Sequence, residues 1–244
     1  MGEPDPRGQR PAQLPAVQHL VVRYAKRGKM RFASHRDVAR VFERGVRRAG
    51  LPIAYSAGFT PHPKISYAGG APTGVASEAE YLSLALTSRQ VAAQVAQRLN
   101  AALPDGIDVI DVIDDSPAGG VGPLEASQWQ VVLPGVGRAD AARAVAGFLV
   151  LGEAPVERLT DKGVRTLDAR AAVVEMDVLE PDPMTAEEDC AILRMVVLHT
   201  APAVRPEDVL TALRQRYGLE PSAPPVTTRL AQGSLALLTP GNGS

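Results

Sequence analysis

Residues 29–81 read KMRFASHRDVARVFERGVRRAGLPIAYSAGFTPHPKISYAGGAPTGVASEAEY. Ser34 stands where a helix N-cap belongs, with Asp37 three residues on, which is the spacing of a capping box. The spacing predicts a helix over 35–49, ended by Gly50 as a C′ residue ahead of Pro52. Val38, Val41, Phe42, Gly45, Val46 and Ala49 recur at helical spacing and form a core stripe. Arg36, Arg40, Arg44, Arg47 and Arg48 follow the same spacing on another face. A short strand is expected over 52–56, a loop over 57–63 and an extended run over 64–68. A turn of small residues over 69–79 then leads into the alternating strand 79–87.

Working outward, residues 1–17 are rich in Pro, Gly and Gln and read as a disordered tail. Order begins near Gln18, with a strand over 19–27 broken at Gly28. Downstream, a helix over 88–103 and a strand over 107–114 complete the order β-α-β-β-α-β. That is the ferredoxin-like split βαβ arrangement. Residues 116–125 (SPAGGVGPLE) read as a linker. Beyond it strands are expected over 128–133, 155–160, 164–175, 190–199 and 226–231, with helices over 138–150 and 205–217. Asp161-Lys162-Gly163 reads as a tight turn, and 180–189 as an exposed acidic loop. The prediction is an α+β chain of two tandem ferredoxin-like domains, 18–115 and 126–238, with a short C-terminal tail over 239–244.

Charge is unevenly spread. Eleven of the 26 Lys and Arg residues lie between Arg23 and Lys64, where only Asp37 and Glu43 of the 27 acids oppose them. A basic segment on an otherwise acidic chain points to an anionic partner. The single cysteine, Cys190, excludes an internal disulfide, a multi-thiolate zinc site and an iron–sulfur cluster held by this chain alone. It fits a reducing cytoplasm. No apolar run approaches the roughly 20 residues of a membrane span, so no membrane partner is expected.

Guanidinium groups pair with phosphate at any relevant pH. Five on one helix repel one another unless an anion, acidic residues elsewhere in the chain, or water alone accommodates them. Arg31 adds to the same basic run. The loop Ser56-Ala57-Gly58-Phe59-Thr60-Pro61-His62-Pro63-Lys64 is stiffened by its prolines. Tyr55 and Phe59 offer flat faces for a base, while His62 and Lys64 can reach a phosphate. The bland alternative is a rigid corner with Phe59 buried. His35 and His62 could act as an acid–base pair with Lys64 stabilising phosphate, as in a nuclease. Neither histidine has metal-ligand spacing, so no metal site is expected. No Walker A, GxSxG or dinucleotide signature is present.

The motifs S-H-x-D, F-E-R-x-x-R-R-A-G-L-P, S-x-G-F-x-P-H-P-K and G-V-x-S-E-x-E-Y within 31–81 resemble a bacterial family of radical SAM-linked proteins. KGVRTLDAR over 162–170 is similar to that family's second, weaker motif. The resemblance implies association with radical SAM chemistry in an RNA or ribosome-related setting. It supplies no catalytic residues. The CxxxCxxC of the cluster-bearing enzymes is missing, so no cofactor is expected here and any radical chemistry belongs to a separate polypeptide.

The expected function is therefore that of a cytoplasmic, non-catalytic RNA-binding accessory protein. It would present structured ribosomal or transfer RNA to a separate radical SAM or RNA-processing enzyme. Arg31, His35, Arg36, Arg40, Arg44, Arg47, Arg48, Tyr55, Phe59, His62 and Lys64 would form the RNA site. Two alternatives stand beside it: an RNA-cleaving enzyme using His35 and His62, and a protein adaptor with a basic face.

Overall fold

The computed structural model of the protein describes residues 14–57, 59–114, 121–160, 163–180 and 190–239. Most of the N-terminal tail, residues 116–120 of the linker, Asp161 and Lys162 of the tight turn, 181–189 of the acidic loop, Gly58 and the last residues of the C-terminal tail lie outside the described residues. The fold is mixed α+β, with ten strands and six α-helices among the described residues. The chain divides into two compact units, and the division does not fall at one linker. The first takes its described residues from Met1–Tyr24, His35–Ala68 and Tyr81–Val121, and the second from Ala25–Ser34, Gly69–Glu80 and Gly122–Ser244.

In the first unit the elements are β1 (Gln18–Lys26, to Tyr24), α1 (His35–Arg48), β2 (Ile65–Ala68), β3 (Ala76–Leu86, from Tyr81), α2 (Ala92–Ala102) and β4 (Ile107–Asp114). Their strand order is β4-β1-β3-β2. Helix α1 buries Val38, Phe42, Gly45 and Val46, with Val41 and Ala49 half-buried at the edges of the stripe. Phe42 meets Tyr24 edge-on at 4.6 Å between ring centroids. Gly45 lets α1 approach α2 closely, because a Cβ there would lie 2.8 Å from Leu103 Cδ2. Gly50, at φ +60°, ends the helix as expected. The freed carbonyls of Ala49 and Gly50 are taken by the Arg98 guanidinium, with Nε at 2.9 Å from Ala49 O and Nη2 at 2.6 Å from Gly50 O.

The expected strand over 52–56 is reduced to two isolated bridges, Ile53 to Leu86 and Tyr55 to Pro63. Prolines are the cause: neither Pro52, at the start of the segment, nor Pro63, the bridge partner of Tyr55, has an N–H for a regular ladder. The helix expected from Ser88 begins only at Ala92, because the Gln90 backbone is held by Gln18, whose Oε1 accepts from Gln90 N at 2.8 Å.

In the second unit the elements are β5 (Ala126–Pro134), α3 (Arg138–Leu149), β6 (Pro155–Thr160), β7 (Gly163–Asp168), α4 (Ala169–Ala172), β8 (Val173–Leu179), β9 (Cys190–Leu198), α5 (Pro206–Tyr217), β10 (Val226–Gly233) and α6 (Leu235–Leu238). The strand order is β10-β5-β9-β8, and β6 and β7 form a separate two-stranded ribbon. With the ribbon set aside, both units show the same permuted order: last strand, first, third, second. The core gathers Trp129, Leu133, Phe148, Leu193, Met195 and Leu213. The first residues of β3 belong here and run parallel to β10, pairing Ala76 with Thr228 and Ser77 with Arg229.

The single strand expected over 164–175 is two strands interrupted by α4. Asp168 is the reason. Its carboxylate accepts from the backbone N–H of Arg170 and Ala171, capping a helical turn where an unbroken strand would need both groups in a ladder. Arg170 then locks the turn by donating to Leu149 O and Val173 O. Asp168 and Arg170 of the 162–170 motif are thus engaged in holding the backbone of this turn.

Candidate nucleic-acid interface

Arg36, Arg40, Arg44, Arg47 and Arg48 are all exposed on α1. Among the described residues the one ion pair of this group is Arg40 to Asp37 at 4.0 Å, between two side chains mostly in water. Such a pair stabilises by at most about 1 kcal/mol. Arg48 donates to Ala102 O at 3.2 Å. Arg47 and Arg48 occupy the last turn, where the helix dipole favours cations. Arg36 sits in the first turn, where the dipole disfavours one, so α1 itself does not stabilise its charge.

The loop after α1 is a tight return. Ser56 N donates to His62 O at 2.8 Å, and His62 N donates to Ser56 Oγ at 3.0 Å. Lys64 N donates to Ala54 O at 2.8 Å. These bonds hold Tyr55 half-buried and leave His62 and Lys64 exposed. Phe59 is 97% exposed, so the buried corner is not what this loop builds. The His35 ring lies edge-on to Tyr67 of β2, 5.3 Å between centroids, and burial followed by the Glu43 charge raises the Tyr67 pKa. Arg31 is not on this unit. It belongs to the second, on the 3-10 turn Gly28–Phe32.

The second unit holds a feature that charge counting along the sequence does not reveal. Lys26, Ser77, Glu80, Arg229 and Gln232 are all buried. Glu80 forms an ion pair with Arg229 and accepts from Ala71 N at 3.1 Å. Arg229 Nε donates to Ser77 Oγ at 3.3 Å and Nη1 to Gln232 Oε1 at 3.2 Å, with the guanidinium 5.5 Å above the Trp129 ring. Gln232 donates to Gly69 O and Ala79 O. Lys26 Nζ donates to Ala71 O and Pro72 O, both at 3.2 Å. Burial lowers the Lys26 pKa, the Glu80 charge works against that, and the Arg229 charge adds to it. The network fixes the backbone of 69–72. Gly69, at φ +60°, has no room for a Cβ beside the Gln232 side chain.

Nearby in the same unit, Ser127 Oγ and His199 Nε2 are 2.7 Å apart, and His199 Nδ1 donates to Leu124 O at 2.7 Å. Ser127 is fully buried, so this pair has the bonding of a catalytic dyad without access for a substrate. Burial lowers the His199 pKa from its ordinary 6.5, opposed by the Leu124 hydrogen bond and aided by the Arg229 charge. As pH falls, the unfolded chain therefore takes up this proton first. Stability from His199 is complete above about pH 6.5 and is lost as pH falls from there through the folded value, then levels off. Urea midpoints of the parent should fall over that interval, and His199→Gln should remove this part of the pH dependence. Identical pH profiles for the two proteins would refute the assignment.

A family model described as "Uncharacterized protein conserved in bacteria (DUF2344)" matches residues 19–206. The chain belongs to DUF2344. No curated protein matches the chain. Among solved structures, a protein titled "Crystal Structure of an Unknown Protein from Galdieria sulphuraria" matches at 15% identity and a TM-score of 0.23, covering 89% of this chain and 99% of that one. The DUF2344 match includes both the basic helix and the 162–170 motif. No helix among the described residues is long and apolar enough to cross a membrane.

Proposed function

We propose that this DUF2344 chain is a non-catalytic RNA-binding accessory protein of the cytoplasm. The observation that carries the reading is the arc of exposed arginines on α1, of which Arg36, Arg44 and Arg47 have no ion pair among the described residues. Arg36 in particular is placed against the helix dipole, and a phosphate would relieve it. Phe59, Tyr55, His62 and Lys64 supply stacking and further charge on the loop, and Arg31 adds a cation on the second unit. The RNA is structured ribosomal or transfer RNA, presented to a separate radical SAM or RNA-processing enzyme. The sequence resemblance to radical SAM-linked proteins supports that partnership. Each unit is a ferredoxin-like domain, the second with β6 and β7 inserted, and the repeated strand order supports this.

The test is incubation of the purified protein with transfer RNA and ribosomal RNA fragments. Retention of RNA at unchanged length is the expected result. Shortened RNA would replace this reading with the nuclease using His35 and His62. Failure to retain RNA, with an acidic protein co-purifying from cells instead, would replace it with the adaptor.

A further inference from the structure

The second unit carries an aromatic and basic cluster of its own. On the turn Gly28–Phe32, Phe32 is 59% exposed and the Arg31 guanidinium lies 4.6 Å above its ring. The turn is rigid: Met30 N donates to Arg27 O and Ala33 N to Met30 O, both at 3.0 Å, and Gly74 N donates to Arg31 O at 2.8 Å. Arg27 is committed to Glu78, with Nε 2.7 Å from Oε1. Arg31 is not so committed. Its Nε is sealed from water and has no acceptor, and it forms no ion pair among the described residues. Lys29 on the same turn is exposed.

A cation without an ion pair attracts an anion, and a ring covered on one face by that cation can still stack on the other. A nucleotide supplies both, a phosphate and a flat base. A base inside a duplex is both stacked and paired, so only an unpaired base can take the ring without breaking a base pair. We infer that Phe32 and Arg31 form a stacking site for an unpaired RNA base, with Lys29 and Arg31 drawing the adjoining phosphates. The second unit therefore selects single-stranded segments over duplex. This rests on the RNA-binding reading above.

The experiment measures binding of a short single-stranded oligo(A) and of an RNA duplex of equal length, by fluorescence anisotropy over a series of salt concentrations. Phe32→Ala should weaken oligo(A) binding by about tenfold or more and leave the duplex unchanged. Its salt slope on oligo(A) should match the parent's, because stacking releases no counterions. Phe32→Tyr keeps a ring and should bind as the parent does. Phe32→Leu keeps apolar bulk without a ring, and should lose affinity as Phe32→Ala does, so the comparison holds even if Phe32→Ala fails to fold. Parental affinity of Phe32→Leu for oligo(A), or equal weakening toward both RNAs, overturns the stacking site. If the parent binds neither RNA, the RNA-binding reading itself falls. If Arg40→Glu with Arg44→Glu abolishes binding while the Phe32 variants bind as the parent does, the stacking site alone falls.

Discussion

Replacing Arg40 and Arg44 together by Glu should abolish RNA binding and leave the fold intact. The two residues are one helical turn apart on α1, both exposed, and neither belongs to the buried set Val38, Phe42, Gly45 and Val46. The substitution turns two phosphate contacts into repulsions. In milder single variants that retain measurable affinity, such as Arg44→Ala, the log–log salt slope should flatten by roughly one unit per lost contact for duplex, and somewhat less for single strands. The cost in stability should be about 0–1 kcal/mol, because Arg40 gives up only the exposed contact with Asp37. Parental RNA affinity in the double variant would remove α1 from the interface. A large loss of stability would mean that the arginines are structural.

The second large effect belongs to the second unit. Glu80→Ala should destabilise the protein by about 3–5 kcal/mol in urea unfolding, the cost of leaving a buried charge without its partner. Buried Arg229 loses its ion partner, buried Lys26 loses the opposing charge that favours its protonated form, and Ala71 N loses its acceptor as well. Glu80→Gln should not rescue fully. One oxygen can still accept from Arg229, but the amide –NH2 competes for the place where Ala71 N–H needs an acceptor. Replacing Glu80 and Arg229 together by Met removes both members of the ion pair and should recover much of the loss. A Glu80→Ala variant within 1 kcal/mol of the parent, measured against the roughly 0.5 kcal/mol typical of surface changes, would show that water reaches the network.

The helix α1, its Gly50 stop and its buried stripe were legible because each is a local pattern: a period, a cap and a left-handed position. The existence of β3 was legible for the same reason, although its expected alternation gives way to burial of both faces from Leu82 to Leu86. What the sequence hid depends on distant partners. Glu80 looks like any acid in an alternating strand until Arg229, far along the chain, is placed against it. Phe32 looks like a core residue next to a helix start, and only the 3-10 turn holds it outward. Asp168 is read most simply as a strand or turn residue, and its capping role needs the path of α4. The loop around Phe59 was legible as stiff, but whether its ring pointed in or out depended on the Ser56–His62 return. Arg31 was grouped with the α1 arginines because it is close to them in sequence, although it belongs to the other unit.

The second unit draws Ala25–Ser34 and Gly69–Glu80 from the first third of the chain. A gene cut at the glycine-rich stretch near residue 120 would therefore not yield two independent proteins. The downstream product would carry Arg229 and Gln232 without Lys26, Ser77 and Glu80, and β10 would lose its parallel neighbour. During synthesis, the early segments must wait for β10, some 150 residues later, before their charges are neutralised. Recombination that shuffles the two halves between relatives is disfavoured for the same reason, since Glu80 and Arg229 are inherited usefully only as a pair.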